Sequence, residues 1–333
     1  MRAPAYWNNK NDLRAQLLRP LGALYAFGTA RRLRQGPPAR MGVPVICVGN
    51  LSAGGTGKTP TVIALAERLR DRHLTPHIVS RGYGGSEQGP IEVDPGRHSA
   101  ARVGDEPLLL SAFARTWVAH DRQAGAQAAV AEGANVIILD DGFQNPQLAK
   151  DLSIIIVDAQ VGFGNGYCIP AGPLREPVAR GLARADMVLS IGSSRPDHID
   201  THGLPHLHGV LTPLQTGMDW NSGRYMAFAG IGRPGKFFET LRSLGADLVR
   251  TEALADHQPL SSALLTRLER EARSLGAQLV TTEKDAVRIA PRDRHKVLSL
   301  PVRLQIEDDV ALDQSLDRIK WKWVNVWRTS PGT

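Results

Sequence analysis

The stretch "SAGGTGKT" has the residue types and spacing of a site for a phosphate chain. Glycines allow the backbone conformations that expose successive N–H groups, and a helix that begins directly afterwards points its amino terminus at an anion. The stretch lies between an apolar run, "VPVICVGN", and a helical pattern, "TPTVIALAERLRDR", as such a loop requires. We expect the loop to bind a nucleotide such as ATP. Its residues are Ser52, Ala53, Gly54, Gly55, Thr56, Gly57, Lys58 and Thr59.

Two side chains of this loop have distinct expected roles. Lys58 would reach the β- and γ-phosphates, and the hydroxyl of Thr59 would hold Mg²⁺. The loop departs from the common pattern in one place, because Ser52 stands where glycine is usual. The alternative interpretation is a strand-to-helix turn with a solvated lysine, but the strand, the Lys-Thr pair and the helix together favour nucleotide binding.

An adjacent pair of carboxylates, Asp140 and Asp141, ends the apolar run "NVIIL". Two such groups at the end of a strand repel each other, so a cation or a strong hydrogen-bond donor is expected nearby. In P-loop proteins a carboxylate in this position holds Mg²⁺. The pair therefore supports a Mg²⁺ and nucleotide site more than a solvated turn.

A second glycine pattern, "GIGRPG", also follows an apolar run and precedes a helical one. With Glu252 about 20 residues further on, it matches the dinucleotide fingerprint. Pro234 stiffens the turn that would have to enclose a pyrophosphate, so we interpret it as a structural turn. Its neighbours Arg233 and Lys236 are candidates to face the active cleft.

The overall composition is that of a globular protein, with 42% hydrophobic and 22% charged residues among 333. Two cysteines, Cys47 and Cys168, cannot form a disulfide framework and favour a reducing compartment. The formal charge of +7 arises in the first 40 residues, which contain eight basic side chains and one acid. The balanced remainder gives no reason to expect nucleic acid as a partner, whereas the basic arm predicts contact with an anionic surface.

The basic arm also has an apolar pattern, since Leu13, Leu17, Leu21 and Leu24 recur at helical spacing. Pro20 is expected to kink or split this helix. The longest apolar run is about half of the ~20 residues that a bilayer span needs. We therefore predict a monotopic helix that lies on an anionic membrane. The alternative is a helix packed on the protein's own core with its arginines solvated.

Continuous apolar runs alternate with helical patterns from residue 43 onward, which predicts an α/β fold of the P-loop NTPase type. Its sheet would be mostly parallel, with helices on both faces. A shorter α/β series begins after residue 212. We predict an N-terminal membrane-associating helix (1–40), a P-loop kinase domain (41–212) and a smaller α/β domain (213–333).

Eight strings occur in a fixed order between residues 49 and 288: "GNLSAGGTGKTP", "SRGYGG", "GDEP", "DDGFQ", "PAGPLREP", "FAGIGRPGKFF", "DHQPL" and "TTEKDAVR". Together they resemble the tetraacyldisaccharide 4′-kinases, the lipid A 4′-kinases of Gram-negative bacteria, over nearly the whole chain. The resemblance implies transfer of the ATP γ-phosphate to the 4′-hydroxyl of a tetraacylated glucosamine disaccharide 1-phosphate. It also implies anchoring at the cytoplasmic face of the inner membrane. We expect a monomer.

The resemblance also assigns roles to residues that the sequence alone would not single out. It points to Asp105 of "GDEP" as the base that accepts the hydroxyl proton, working with His257 of "DHQPL". From the residues alone, Asp105 would be a helix cap and His257 part of a surface loop. Lys58 and Asp141 complete the predicted catalytic set.

Three further residues are implied as contacts of the substrate, and one as a metal ligand. Arg81 and Tyr83 lie in the glycine-flanked "RGYGG", where Arg81 is suited to a phosphate, and Arg175 lies in "PAGPLREP", a loop expected near the nucleotide. Glu176 would join Thr59 and Asp140 around Mg²⁺. For each loop residue the alternative is an ordinary turn.

A membrane-associated switch ATPase of the Par/Min type is the competing interpretation, because those proteins share "GGTGKT". They carry a signature lysine five places before the lysine of the loop, and this chain has Ala53 there. A soluble P-loop ligase would leave the basic arm unexplained.

Overall fold

The computed structural model describes residues 4–34, 36–256 and 258–329. Its strands begin with a run that belongs to one large sheet. In chain order these are β1 (Val45–Gly49), β2 (Pro76–Ser80), β3 (Ile91–Glu92), β4 (Thr116–Val118), β5 (Val136–Asp140), β6 (Leu152–Asp158), β7 (Met187–Ile191) and β8 (His206–Pro213).

Helices cover both faces of this sheet, as the continuous apolar strands predict. On one face Leu65 and Leu69 pack with Ile46, and on the other Ala126 and Ala129 lie in the core. The predicted α/β class is confirmed. The helices of this part are α1 (Leu13–Leu33), α2 (Lys58–Asp71), α3 (Ala100–Val103), α4 (Asp105–Leu110), α5 (Arg122–Ala131) and α6 (Val178–Leu182), and a 3-10 helix spans Ala5–Asn8.

A second, four-stranded parallel sheet follows, in the order β10-β9-β11-β12. Its strands are β9 (Arg224–Ala229), β10 (Asp247–Ala253), β11 (Gln278–Thr282) and β12 (Val297–Leu300). Its helices are α7 (Pro234–Ser243), α8 (Ser262–Ser274) and α9 (Glu283–Ala286), and 3-10 helices span Trp220–Ser222 and Pro291–Lys296.

The chain then returns to the large sheet. The prediction differs here, because it assigned all of residues 213–333 to the smaller domain. The run "VLSLPVRLQI" reads as one strand, but Pro301 divides it. Strand β13 (Val302–Glu307) pairs antiparallel with β8, and α10 (Val310–Thr329) follows it. Leu304 and Leu316 are buried in the core beneath α2. The large sheet thus has the order β13-β8-β7-β6-β1-β5-β2-β4-β3.

Helix α1 is continuous through Pro20, so the predicted split does not occur. Proline has no N–H to donate to the Gln16 carbonyl. Because Pro20 and Gln16 are both exposed, water can donate to this carbonyl instead. The buried side of the helix consists of small residues. Gly22 is the closest of these, because a Cβ there would lie 2.7 Å from the carbonyl oxygen of Cys168.

Candidate phosphate-transfer site

The carboxyl ends of the central parallel strands form the candidate site. Strand β1 lies between β5 and β6, and the loop that follows it leads directly into α2. Strand β5 ends at Asp140, and the neighbouring β2 ends at Ser80. In open α/β sheets this edge is where ligands bind, because the loops on either side diverge there.

The glycine loop has the conformation that an anion cradle requires. Gly57 has a φ of 95°, which disfavours any residue with a side chain. A Cβ there would also lie 2.6 Å from Ile191 Cδ1, which is too close. Asn50 Nδ2 donates to the Gly54 carbonyl and to Thr56 Oγ1 and holds the loop from below. Among the residues that the structure describes, no acceptor pairs with the N–H groups of Gly55, Gly57 and Lys58, which leaves them for a phosphate.

The first two loop residues have a different task. Ser52 forms an isolated bridge with Leu174, and the N–H of Ala53 donates to the Pro173 carbonyl over 2.7 Å. This pairing ties the loop to the segment that carries Arg175. The N–H of Ala53 is thus engaged by the protein, and a nucleotide contact of Ser52 or Ala53 stays a prediction.

Lys58 and Arg175 converge on Asp141. The Lys58 Nζ lies 3.6 Å from Asp141 Oδ1, and Arg175 Nη1 lies 3.2 Å from the same oxygen. Burial opposes ionisation of Asp141, but the two cations outweigh it and lower the pKa of this carboxyl. The lysine that is expected to contact the phosphates thus lies beside an internal carboxylate.

Asp140 has the opposite environment. It is 2% exposed, and its Oδ2 accepts a hydrogen bond from Ser80 Oγ, while its Oδ1 is buried with no hydrogen-bond partner among the described residues. Burial raises the pKa of Asp140 to about 7, and the nearby charges of Glu106 and Asp141 add to the effect. A buried carboxylate oxygen left without a donor beside a phosphate loop fits Mg²⁺, which prefers oxygen ligands.

The protein contributes few ligands to such a cation. Within the described ranges no three His, Cys, Asp or Glu side chains are grouped to hold a metal ion. That is compatible with Mg²⁺, which commonly keeps water molecules and nucleotide oxygens as ligands and needs only one or two carboxylates. Asp140, the last residue of β5, and Thr59, in the first turn of α2, stay its predicted ligands.

Glu176, whose role as a metal ligand stays a prediction, lies in a hydrogen-bonded network with Arg184 and Gln144. Both of its oxygens accept from Arg184 Nη2, over 2.7 and 2.6 Å, and Gln144 Nε2 also donates to it. Gln144 Oε1 in turn accepts from Arg175. The carboxylate of Glu176 is therefore engaged by the protein and supports the arginine next to it in sequence.

Asp105 lies in a charged cluster where the two sheets of the molecule meet. It is the first residue of α4 and is 5% exposed. Its Oδ2 lies 4.0 Å from both Lys284 Nζ and Arg288 Nε, and Lys284 Nζ lies 3.0 Å from Glu106 Oε1. The predicted base is thus surrounded by cations from the second sheet's side of the molecule.

His257, the predicted partner of Asp105, lies outside the described residues. The residue after it is held close to this cluster, because Arg288 Nη1 donates to the Gln258 carbonyl over 3.0 Å. The charge of Asp256 also favours the protonated forms of Arg288 and Lys284. The pairing of Asp105 with His257 stays a prediction.

The "RGYGG" loop lies against the stretch that contains Asp105. A Cβ on Gly85 would lie 2.5 Å from the Arg102 carbonyl oxygen, and one on Gly104 would lie 2.9 Å from the Tyr83 carbonyl oxygen. Such close approach explains why glycine occupies both positions. Arg81 directly follows β2 and is exposed, and Tyr83 is 74% exposed, so both side chains are accessible to solvent.

The second glycine turn is filled by the protein itself. The N–H of Gly230 donates to both oxygens of the Asp285 carboxylate, over 3.2 and 3.1 Å, and Arg288 pairs with Asp285. This agrees with a structural turn. Arg233 and Lys236 form ion pairs with Asp158 at the end of β6, so their charges are balanced by a carboxylate that does not belong to the phosphate loop.

Sequence reasoning missed several charged residues of the site. Arg122 is 3% exposed, and its guanidinium donates to the carbonyls of Ala119 and Asp140. Burial lowers the pKa of Arg122 against the pull of the two neighbouring carboxylates. No local pattern marks this arginine, because it directly follows a helix-capping aspartate and looks like a surface residue. Lys284 and Arg288 belong to "TTEKDAVR" but had no assigned role.

Free amides before Lys58, a helix that begins at this lysine, and a buried carboxylate at the end of the neighbouring strand define a P-loop nucleotide-binding protein. The sequence model for tetraacyldisaccharide-1-P 4′-kinase matches residues 14–320. The chain belongs to the tetraacyldisaccharide 4′-kinase family.

Individual proteins agree with this assignment. The tetraacyldisaccharide 4′-kinase of Dinoroseobacter shibae is 61% identical over 96% of this chain and 98% of its own length. That of a Jannaschia species is 59% identical over 96% and 99%. The crystal structure of LpxK from Aquifex aeolicus in complex with ATP has a TM-score of 0.78 at 29% identity, over 92% of this chain and 99% of that one.

Membership of this family makes the chain an ATP-dependent kinase, as predicted. The function predicted from the ordered strings is confirmed at this level, and a Par/Min-type switch ATPase is not favoured. The specific roles of the site residues, the cation and the membrane are proposals.

Proposed function

We propose that this kinase transfers the γ-phosphate of ATP to the 4′-hydroxyl of a tetraacylated glucosamine disaccharide 1-phosphate, with Asp105 as the base. The observation that carries this proposal is that Glu106 links Asp105 to Asp140. Glu106 follows Asp105 at the start of α4, and the charge of Glu106 acts on Asp140 beside the phosphate loop. A base and a phosphate cradle at one edge of the sheet are what transfer to an alcohol requires.

The reaction follows from these positions. The sugar 4′-oxygen bonds to the γ-phosphorus, the bond to the β–γ bridging oxygen breaks, and the proton of the hydroxyl passes to the Asp105 carboxylate. Lys58 and the loop amides stabilise the charge that develops on the phosphoryl oxygens. Asp140 and Thr59 would hold Mg²⁺, which neutralises phosphate charge when bound. Asp141 would keep its contact with Arg175 when Lys58 turns to the phosphates.

The remaining predicted residues suit the acceptor. Arg175 has a half-buried guanidinium beside the phosphate loop, and Arg81 and Tyr83 are accessible to solvent. We assign these three to contacts with the phosphorylated disaccharide.

The acyl chains of the substrate call for a kinase that works at a membrane. In α1 the side chains of Leu13, Leu17, Leu21 and Leu24 are 75%, 79%, 54% and 67% exposed. Such a row of leucines on one side of a basic helix matches a helix that lies in the interface. In the described part of the chain no helix is both long and apolar enough to cross a bilayer. We therefore propose a peripheral site at the cytoplasmic face of the inner membrane.

A labelling experiment tests the reaction. The full chain is incubated with radiolabelled ATP, Mg²⁺ and a tetraacylated disaccharide 1-phosphate, and the lipids are separated. Wild type should give labelled lipid, and Asp105→Ala should lower kcat by about 10²–10⁴-fold with little change in the KM for ATP, because general base catalysis has that magnitude. Asp247→Ala, which changes an exposed carboxylate, is the control.

The outcomes separate the competing ideas. An unchanged kcat for Asp105→Ala would exclude it as the base. Wild type that forms no labelled lipid, and hydrolyses ATP only when a protein partner is added, would support a switch ATPase.

The membrane contact is best tested without deleting the arm. Tyr6 and Trp7 donate from their side chains to the Pro170 carbonyl, so a truncation would also disturb the loop that carries Arg175. The substitution pair Leu17→Ser and Leu24→Ser should weaken flotation with anionic vesicles roughly 10- to 100-fold, through lost apolar burial.

The matched control replaces Leu211 and Leu214, which are 38% and 41% exposed elsewhere on the surface, with serine. Equal flotation of both double variants would reject α1 as the contact. Flotation of the wild-type protein that persists in high salt would indicate that apolar burial contributes more to membrane binding than the basic charge.

A further inference from the structure

We propose that Lys284 is a positioning residue for phosphoryl transfer, which holds the predicted base in place from the second sheet's part of the molecule. This inference rests on the proposed role of Asp105. Lys284 Nζ lies 3.0 Å from Glu106 Oε1 and 4.0 Å from Asp105 Oδ2, so one ammonium group faces two successive carboxylates at the start of α4. Its side chain is 22% exposed.

The charge of Lys284 is balanced by these carboxylates. Burial opposes protonation of the amine, but Glu106 and Asp105 outweigh it and raise the pKa of Lys284. Glu106 is also the foremost neighbouring charge that acts on Asp140. Two successive carboxylates of the transfer site thus face a cation that the large sheet does not supply. Without it, mutual repulsion would displace Asp105 or Glu106 from its position.

Lys284 is well placed for this role because its backbone is fixed. It is the second residue of α9, whose capping residue Thr282 accepts a hydrogen bond from the N–H of Asp285. Asp285 in turn holds the Gly230 turn and pairs with Arg288. The ammonium therefore projects from a short helix that is anchored on both sides. A group held in this way can keep a base within the narrow range of positions that transfer requires.

A second ion-paired contact between the two parts of the molecule provides a comparison. Arg233 and Lys236 pair with Asp158 at the end of β6, and Lys236 Nζ lies 3.4 Å from it. This contact joins the same two parts but involves neither Asp105 nor Glu106. If Lys284 only docked the two parts together, loss of Lys236 should have a similar effect.

The experiment compares Lys284→Met, Lys284→Arg and Lys236→Met in the full chain with the lipid labelling assay. We expect Lys284→Met to lower kcat about 10- to 100-fold with the KM for ATP within about 2-fold, since the phosphate loop is untouched. Lys284→Arg should recover most of the loss, and Lys236→Met should stay within about 2-fold of wild type. Glu106→Gln combined with Lys284→Met should cost no more than the larger single change.

Chemical rescue covers the case in which Lys284→Met fails to fold. Lys284→Cys is purified and alkylated with 2-bromoethylamine, which restores an ammonium group at nearly the original length, and alkylated wild type is the control. Activity should rise at least about 5-fold on alkylation. A failure to rise, a kcat of Lys284→Met within about 2-fold of wild type, or an equal loss in Lys236→Met would overturn the inference.

These outcomes are separable from failure of the proposed function. An inactive Asp105→Ala alongside a fully active Lys284→Met would remove only the role of Lys284. Wild type without labelled lipid would remove the proposed function itself.

Discussion

Two glycine-rich turns in this chain each follow a parallel strand and precede a helix, yet they treat negative charge in opposite ways. In the first turn, residues 52–59, the N–H groups of Gly55, Gly57 and Lys58 have no acceptor among the described residues, and Lys58 Nζ lies 3.6 Å from Asp141 Oδ1. In the second, residues 230–235, the Gly230 N–H already donates to Asp285, whose charge Arg288 balances. One turn is built to receive an anion and the other contains its own.

The difference shows that a glycine pattern specifies a backbone shape and not a ligand. The second turn is closed by a carboxylate 55 positions away in the chain. Only folding brings that group to the turn, so no inspection of the local sequence reveals it. The four predictions that follow test whether charge, and not shape, separates the two turns.

The largest effect is expected from Lys58→Ala. It should lower kcat by roughly 10²–10³-fold or more, because one preorganised donor at the developing charge is worth that amount. The corresponding change in the second turn, Lys236→Ala, removes a half-exposed ion pair worth at most about 1 kcal/mol and should leave activity within about 2-fold. The lipid labelling assay measures both. Near-normal turnover of Lys58→Ala would remove the distinction.

The next largest effect is expected on stability, from Asp285→Asn. This change leaves Arg288 and the Gly230 N–H short of a buried charged acceptor, which should lower the free energy of unfolding by about 2–3 kcal/mol. Urea unfolding followed by intrinsic fluorescence measures the loss. Wild-type stability would mean that the second turn does not need its internal anion.

Asp140→Asn should act in the opposite direction when nucleotide and metal are absent. The folded protein raises the pKa of Asp140 from an ordinary value near 4 to about 7. It therefore binds a proton more tightly than the unfolded chain, and the stability that this provides is lost as the pH rises between about 4 and 7.

At pH 8 with EDTA, Asp140→Asn should thus be more stable than wild type, on the order of 1–2 kcal/mol, and at pH 4 the gain should vanish. Urea unfolding at both pH values tests this. A gain that does not depend on pH would contradict ionisation as its cause.

The smallest effect concerns the shape of the turns. Gly57→Ala is expected to cost about 1 kcal/mol or somewhat more, because φ is positive and Ile191 lies in the way. Gly235→Ala, in the first turn of α7 with nothing within 4 Å of its Cβ, should be neutral or stabilising by up to about 1 kcal/mol. Thermal unfolding of the two variants side by side measures the difference.

The sequence allowed the central part of the fold to be predicted because its strands are continuous apolar runs. Strand β8 was not predicted, because His206 and His208 interrupt its apolar run. The burial of His208 is explained only by Ser190 on the neighbouring strand, 3.1 Å away. Likewise, Pro301 separates two strands that belong to different sheets, which a run of apolar letters cannot show.

The same limit applies to the site. The phosphate loop is contiguous and could be predicted with its lysine. Asp105 was reached only through resemblance to a family, and Lys284, 179 positions later, was not assigned. Arg122 gave no signal, because burial of a charge depends on what the rest of the chain places around it. Residues that compensate charge are thus harder to predict than residues that bind directly.

The late return of the chain to the large sheet has a consequence during synthesis on the ribosome. Strand β8 emerges early but acquires β13 only after residues 214–301 have been made, so an unpaired sheet edge is exposed for that time. The inserted residues form their own parallel sheet. The two ends of the inserted segment lie together, because the Leu214 N–H donates to the Pro301 carbonyl. Folding of the insert therefore delivers the final strand to its partner, and slow folding of the insert would leave the nascent chain open to aggregation.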